Sequence, residues 1–157
     1  MEQSILGQFN ITLNSEKEVL RKLCVNTIKS HTEDLFSKYG SVDTISFWLY
    51  ITNKDDEFKS LTSKNIPTWA VGVAKGNRIV IKSPKKKSII YNNFKKILQH
   101  EISHLYLSQI NNKFPSWFNE GFSMYNAHEF NINRKINISW NLLLKKNVNL
   151  NQLKGFL

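Results

Sequence analysis

The stretch from Ser88 to Asn111 contains neither Gly nor Pro, and its apolar residues Phe94, Ile97, Leu98, Ile102, Leu105 and Ile110 follow a three-and-four spacing. That period lays apolar side chains along one face of an α-helix. Pro115 stops such a helix from continuing, because its ring removes an N–H donor and clashes with the preceding turn. Ser116 is then placed to cap a second helix from Trp117 to about Phe130. The rest of the fold has to be built around these two consecutive helices.

Upstream, Val19, Leu20, Leu23, Ile28, Leu35 and Phe36 recur near helical spacing between Ser15 and Tyr39, with Gly40 as a stop. Ile45 to Ile51 is a β-branched and aromatic run, which reads as a strand. Trp69 to Ala74 and Arg78 to Lys82 are two short apolar runs separated by Lys75-Gly76-Asn77, the composition of a β-hairpin. Ile136 to Leu157 reads as one further short helix and a tail. The order predicts an α+β domain: a small twisted sheet with an edge-strand hairpin, packed on a helical base. A chain of 157 residues is of single-domain size, so one catalytic-sized unit over residues 1–157 is expected, truncated at its C-terminal end if the natural protein is longer.

Composition narrows the chemistry. Cys24 is the only cysteine, which excludes an intramolecular disulfide and a zinc ribbon and reads as a small core residue. Any metal must be held by His, Asp or Glu. No apolar run approaches the ~20 residues of a membrane span. Residues 1–20 lack a leader's basic and apolar regions, so the expectation is a cytoplasmic chain or one trimmed of its leader. The net charge of +10 attracts polyanions, but it comes mostly from Lys. With only Arg21, Arg78 and Arg134 as base-reading forks and no nucleic-acid motif, specific nucleic-acid binding is not expected.

Inside the predicted helix lies His100-Glu101-Ile102-Ser103-His104. Residues four apart share a helical face, so both imidazoles can reach one metal ion while Glu101 sits on the adjacent flank, towards a water on that metal. Catalytic zinc takes three protein ligands, and two histidines leave it short by one. Glu120, in Trp117-Phe118-Asn119-Glu120-Gly121-Phe122, is the candidate third donor: a returning helix would carry it back over His100 and His104, and Gly121 would let the helices approach closely. His31 has no ligand partner at helical spacing and reads as a surface or packing residue.

These two motifs, with the hairpin before them, resemble the gluzincin metallopeptidases, the group that includes thermolysin and the zinc aminopeptidases, and most of all the small minigluzincin or peptidase-MA-like domains. The resemblance spans roughly Trp69 to Tyr125. It implies a zinc-dependent peptidase, with Zn2+ bound by His100, His104 and Glu120 and Glu101 as general base. It further implies a peptide or protein substrate lying as an added strand beside the first hairpin strand, at Val71, Gly72, Val73 and Ala74, where Gly72 marks a point of close approach or simply a bent edge.

Three departures shape the remaining expectations. Fifteen residues separate His104 from Glu120, a compact spacing. Val71-Gly72-Val73-Ala74 stands where aminopeptidases carry a segment that reads a free amino terminus, which favours an endopeptidase. Met124 stands where thermolysin-like enzymes place an Asp that orients a zinc histidine, so Asn119 or a backbone carbonyl has to supply that contact. For a donor to the developing oxyanion, the candidates after Glu120 are Tyr125 and His128. Tyr125 falls about 140° around the helix from Glu120 and reads as a packed core residue, and His128 lies some 12 Å along the axis. Two other readings stand beside the peptidase: a catalytically degenerate gluzincin scaffold that binds a peptide or partner, and a basic polyanion-binding module in which the motif is incidental.

Overall fold

A computed structural model describes residues 2–13, 18–62, 66, 70–84, 89–111 and 113–129. In chain order its elements are β1 (Glu2–Ser4), β2 (Gly7–Leu13), α1 (Glu18–Tyr39), β3 (Phe47–Thr52), α2 (Asp55–Leu61), β4 (Gly72–Lys75), β5 (Arg78–Lys82), α3 (Ile89–Ile110) and α4 (Ser116–Asn126). The fold is α+β, with one mixed sheet in the order β1-β2-β3-β5-β4.

Alternation builds the sheet's buried face. Phe9 and Ile11 of β2, Phe47, Leu49 and Ile51 of β3, and Ile79 and Ile81 of β5 project into one cluster, because side chains two apart on a strand share a face. Register aligns them: Phe9 pairs with Phe47, Ile11 with Leu49, and Leu49 with Ile79. Leu20, Cys24, Ile28 and Leu35 of α1 and Phe94, Leu98, Ile102, Leu105 and Tyr106 of α3 close the cluster from the helical side. Burying a side chain of this kind stabilises by roughly 1.5–3 kcal/mol before conformational entropy is charged against it.

The β4–β5 hairpin forms, with Gly76 at φ +57° in a two-residue turn that favours left-handed residues. Its first strand starts at Gly72 rather than Trp69 and ends at Lys75, so the turn is one residue shorter than the sequence predicts. Lys75 and Arg78 pair directly across it. Trp69 lies outside the described residues.

Two elements add to the predicted order. The β1–β2 hairpin runs beside β3, with Gly7 at φ +135° pressed against the Ile45 backbone, where any Cβ would clash. The short helix α2 follows β3 and buries only Phe58. The predicted element at Ile136–Leu157 lies outside the described residues. Among the described residues, no helix is long and apolar enough to cross a membrane.

Candidate metal centre

Helix α3 carries the two histidines and presents different neighbours to its different flanks. Its core flank is fixed by Leu98, Ile102 and Tyr106, which are fully buried. His100 and His104, one turn apart, then emerge towards the mouth of a cleft of about 1030 Å³, bordered by β4 on one side and α4 on the other. Their Nε2 atoms lie 3.0 Å apart.

Helix α4 brings the third donor. Pro115, not Ser116, is its N-cap: the Pro115 carbonyl accepts the N–H groups of Phe118 and Asn119, and Ser116 is already helical, making no side-chain cap. Phe122 fastens α4 to the core by stacking on Tyr106 and tilting against Tyr39. That anchorage places Glu120 over the histidines, with Oε2 3.5 Å from His100 Nε2 and Oε1 3.6 Å from His104 Nε2. One ligand atom from each of the three residues lies within 4.8 Å of the other two. Bonds of about 2.0–2.1 Å in a tetrahedron require donor separations of about 3.3 Å, so the set fits a zinc-sized ion. Gly121 does not act as predicted: a Cβ there would meet nothing within 4 Å, so close helix approach is not its role.

The far side of each ring is also occupied. Asn119 Oδ1 accepts the Nδ1–H of His104 at 3.0 Å, which leaves Nε2 with its lone pair turned to the cleft. His100 Nδ1 is buried, and Glu129 Oε2 lies 3.4 Å from it. That is an ion-pair contact rather than a closed hydrogen bond. Burial alone would lower the His100 pKa, but the Glu120 and Glu129 carboxylates outweigh it and raise the ring to about 9. His104 is moved the other way, by burial and then by the charge of His100 despite the Asn119 bond. The hydrogen bond with His100 outweighs burial at Glu120 and holds its carboxyl below the usual range. The Glu120 and Glu129 carboxylates thus set negative charge on both sides of the His100 ring.

Glu101 projects from the same helix against β4. It is buried, accepts the backbone N–H of Ala74, and has its pKa pushed up by burial to about 7. Gly72 makes this possible: a Cβ there would stand 2.6 Å from Glu101 Oε1 and 2.8 Å from Ile97 Cγ2. The close approach at Gly72 is therefore made by the chain's own carboxyl.

β4 is the edge of the sheet, and Lys82 donates its N–H to the Val71 carbonyl. By the alternation of an antiparallel pair, Val71, Val73 and Lys75 face β5, while Gly72 and Ala74 turn their backbone groups to the open edge. All four residues from Val71 to Ala74 line the cleft, with Asn119 and Glu120.

Tyr125 and His128 belong elsewhere. Tyr125 is 61% exposed rather than packed in the core, and His128 is exposed after the end of α4. Neither lines the cleft. Glu129 does, and sequence expectation omits it because the turn that aims it has no glycine to mark it. The chain has no significant match among protein-family models, curated proteins or solved structures.

Proposed function

We propose that the chain is a zinc-dependent peptidase of the gluzincin type, acting as an endopeptidase on extended peptide. The observation that carries this reading is the convergence of His100, His104 and Glu120 beside a buried carboxyl, Glu101, at an open sheet edge. Zinc held by these residues supplies Lewis-acid chemistry, polarising a carbonyl and acidifying a water.

The chain's own groups do the rest. Glu101, buried beside the cluster, is placed to accept a proton from the attacking water and return it to the departing amine. The Ala74 N–H fixes that carboxyl against β4, so base and sheet edge keep one geometry. The outward N–H and C=O of Gly72 and the C=O of Ala74 offer an incoming strand its backbone partners, the Ala74 N–H being already given to Glu101, and the cleft is open on that side. An added strand there lays successive peptide bonds past the three-ligand cluster.

Metal analysis of the untagged protein, paired with hydrolysis of an unfolded protein substrate, tests the reading. We expect one zinc per chain, lost in Glu120→Ala, and turnover that a chelator abolishes. Full zinc occupancy in Glu120→Ala would overturn the ligand set. Zinc bound through Glu120 without turnover would favour the peptide-binding scaffold instead.

A further inference from the structure

Two outer contacts hold the two ligand rings, and they differ in kind. His104 has a neutral amide oxygen from Asn119, the residue just before Glu120 on α4. His100 has a carboxylate oxygen from Glu129, which lies beyond the end of that helix. The way the chain reaches His100 is itself built. Glu129 donates its N–H to the Met124 carbonyl at 3.0 Å and His128 donates to the Tyr125 carbonyl at 3.2 Å. These are the two bonds of a Schellman motif, in which the residue past the cap turns left-handed. His128 is that residue, at φ 54°, and among the described residues it is the only non-glycine with positive φ. A left-handed residue that carries a side chain is strained, and such strain collects at functional sites.

We propose that Glu129 is the positioning residue for His100: its carboxylate, 3.4 Å from Nδ1, orients the ring so that Nε2 points at the metal, and the left-handed turn at His128 aims that carboxylate. The inference rests on the metal-centre reading above. Glu129 is not a fourth ligand, because it meets His100 at Nδ1 while the ligand atoms converge through Nε2. Its side chain is only 16% exposed, against 60% for Glu120, as suits a group that acts through the ring rather than on substrate. A carboxylate on the outer nitrogen fixes the tautomer and raises ligand basicity, which an amide does less well. The α4 segment thus serves both histidines and supplies the third ligand between them.

Zinc affinity measured by chelator competition, with the thermal midpoint of the metal-free protein beside it, tests the assignment. Glu129→Gln should lose about 10–100-fold in zinc affinity with little change in the metal-free midpoint, and Glu129→Asp should recover part of the loss. His128→Gly should keep wild-type affinity, since glycine accepts the same φ. His128→Val should lower affinity although its side chain is outside the cleft, because a β-branched residue resists that φ and displaces Glu129. Wild-type affinity in both Glu129→Gln and His128→Val, or a fallen metal-free midpoint with unchanged affinity, would overturn the proposal while leaving the metal centre intact. Wild-type protein that binds no zinc, or Glu120→Ala protein that keeps it, removes the metal centre and this assignment with it.

Discussion

Helix α3 has two polar faces, and they are finished in opposite ways. Towards α1, the buried His31 Nε2 meets Ser103 Oγ at 2.9 Å, and Ser103 donates to the Gln99 carbonyl at 2.8 Å. Since the serine hydrogen is used, the histidine must donate, and the pair is neutral and sealed. Towards β4 and α4, the same helix presents His100, Glu101 and His104 to a cleft, with carboxylates and an amide as partners. One face spends its polar groups on joining two helices; the other keeps them convergent and charged. A buried polar group without a partner costs about 1–3 kcal/mol, so the sealed pair is a packing device and the open cluster calls for an occupant.

Glu101→Gln is the largest expected blow to the open face. It should lower turnover by about 10²–10⁴-fold, because an amide cannot take the proton, and leave zinc affinity nearly unchanged. Retention of more than about a tenth of the rate would place the base elsewhere.

Protonation separates the faces next. Burial holds His31 down to about 4 in the folded protein, against 6.5 for the ordinary ring. Between these values the unfolded chain binds more protons, so stability is full above about 6.5 and falls as pH drops towards 4. Glu101 runs the other way. Raised from 4.5 to about 7, it lets the metal-free protein hold more protons than the unfolded chain, so stability is full below 4.5 and falls as pH rises towards 7. At about 1.4 kcal/mol per pKa unit, each limb is on the order of 3 kcal/mol. Between about 4.5 and 6.5 these two limbs oppose each other in the metal-free wild type. When unfolding is followed against pH, removing the acid limb in His31→Gln should therefore leave stability falling more steeply as pH rises, and removing the Glu101 limb in Glu101→Gln should leave it rising. An acid limb unchanged in His31→Gln would break the distinction between the faces.

Much of this contrast was legible in the sequence because it follows helical spacing. The i, i+4 histidines, the flank position of Glu101 and the apolar stripe of α3 are all periodic, and period is what local sequence carries. Asn119 as the partner of His104 was open to the same reading, since it adjoins Glu120. What escaped depends on chain reversal or on single contacts. The left-handed turn at His128 looks like any polar residue in the sequence, and the turn it makes is what aims Glu129. His31 has no partner on its own helix, because Ser103 comes from an element 72 residues away. Helix α2 buries one residue, Phe58, and so shows no stripe to read. The β1–β2 hairpin was within reach: Phe9 and Ile11 alternate with Gln8, Asn10 and Thr12, a period-2 signal. Tyr125 was misplaced because an angular offset from Glu120 says nothing about whether another element covers that side of α4.

The smallest effects come from two glycines, Gly72 in the wall of the cleft and Gly121 next to Glu120 on α4. Gly72 has no room for a methyl group, and the atoms in the way are Glu101 Oε1 and Ile97 Cγ2. Gly72→Ala should therefore displace the base and lower turnover by about tenfold or more while zinc binding survives, since roughly 1.4 kcal/mol of lost positioning is a factor of ten. Gly121 stands inside α4 with nothing within 4 Å of an added Cβ. Its cost is the ordinary one for glycine in a helix, so Gly121→Ala should raise stability by about 0.5–1 kcal/mol. Thermal unfolding and steady-state hydrolysis of the two variants side by side are the measurement. If Gly121→Ala instead destabilised the protein or cost activity, substrate or another part of the chain would have to approach α4 at that point. The open face would then extend one residue past Glu120.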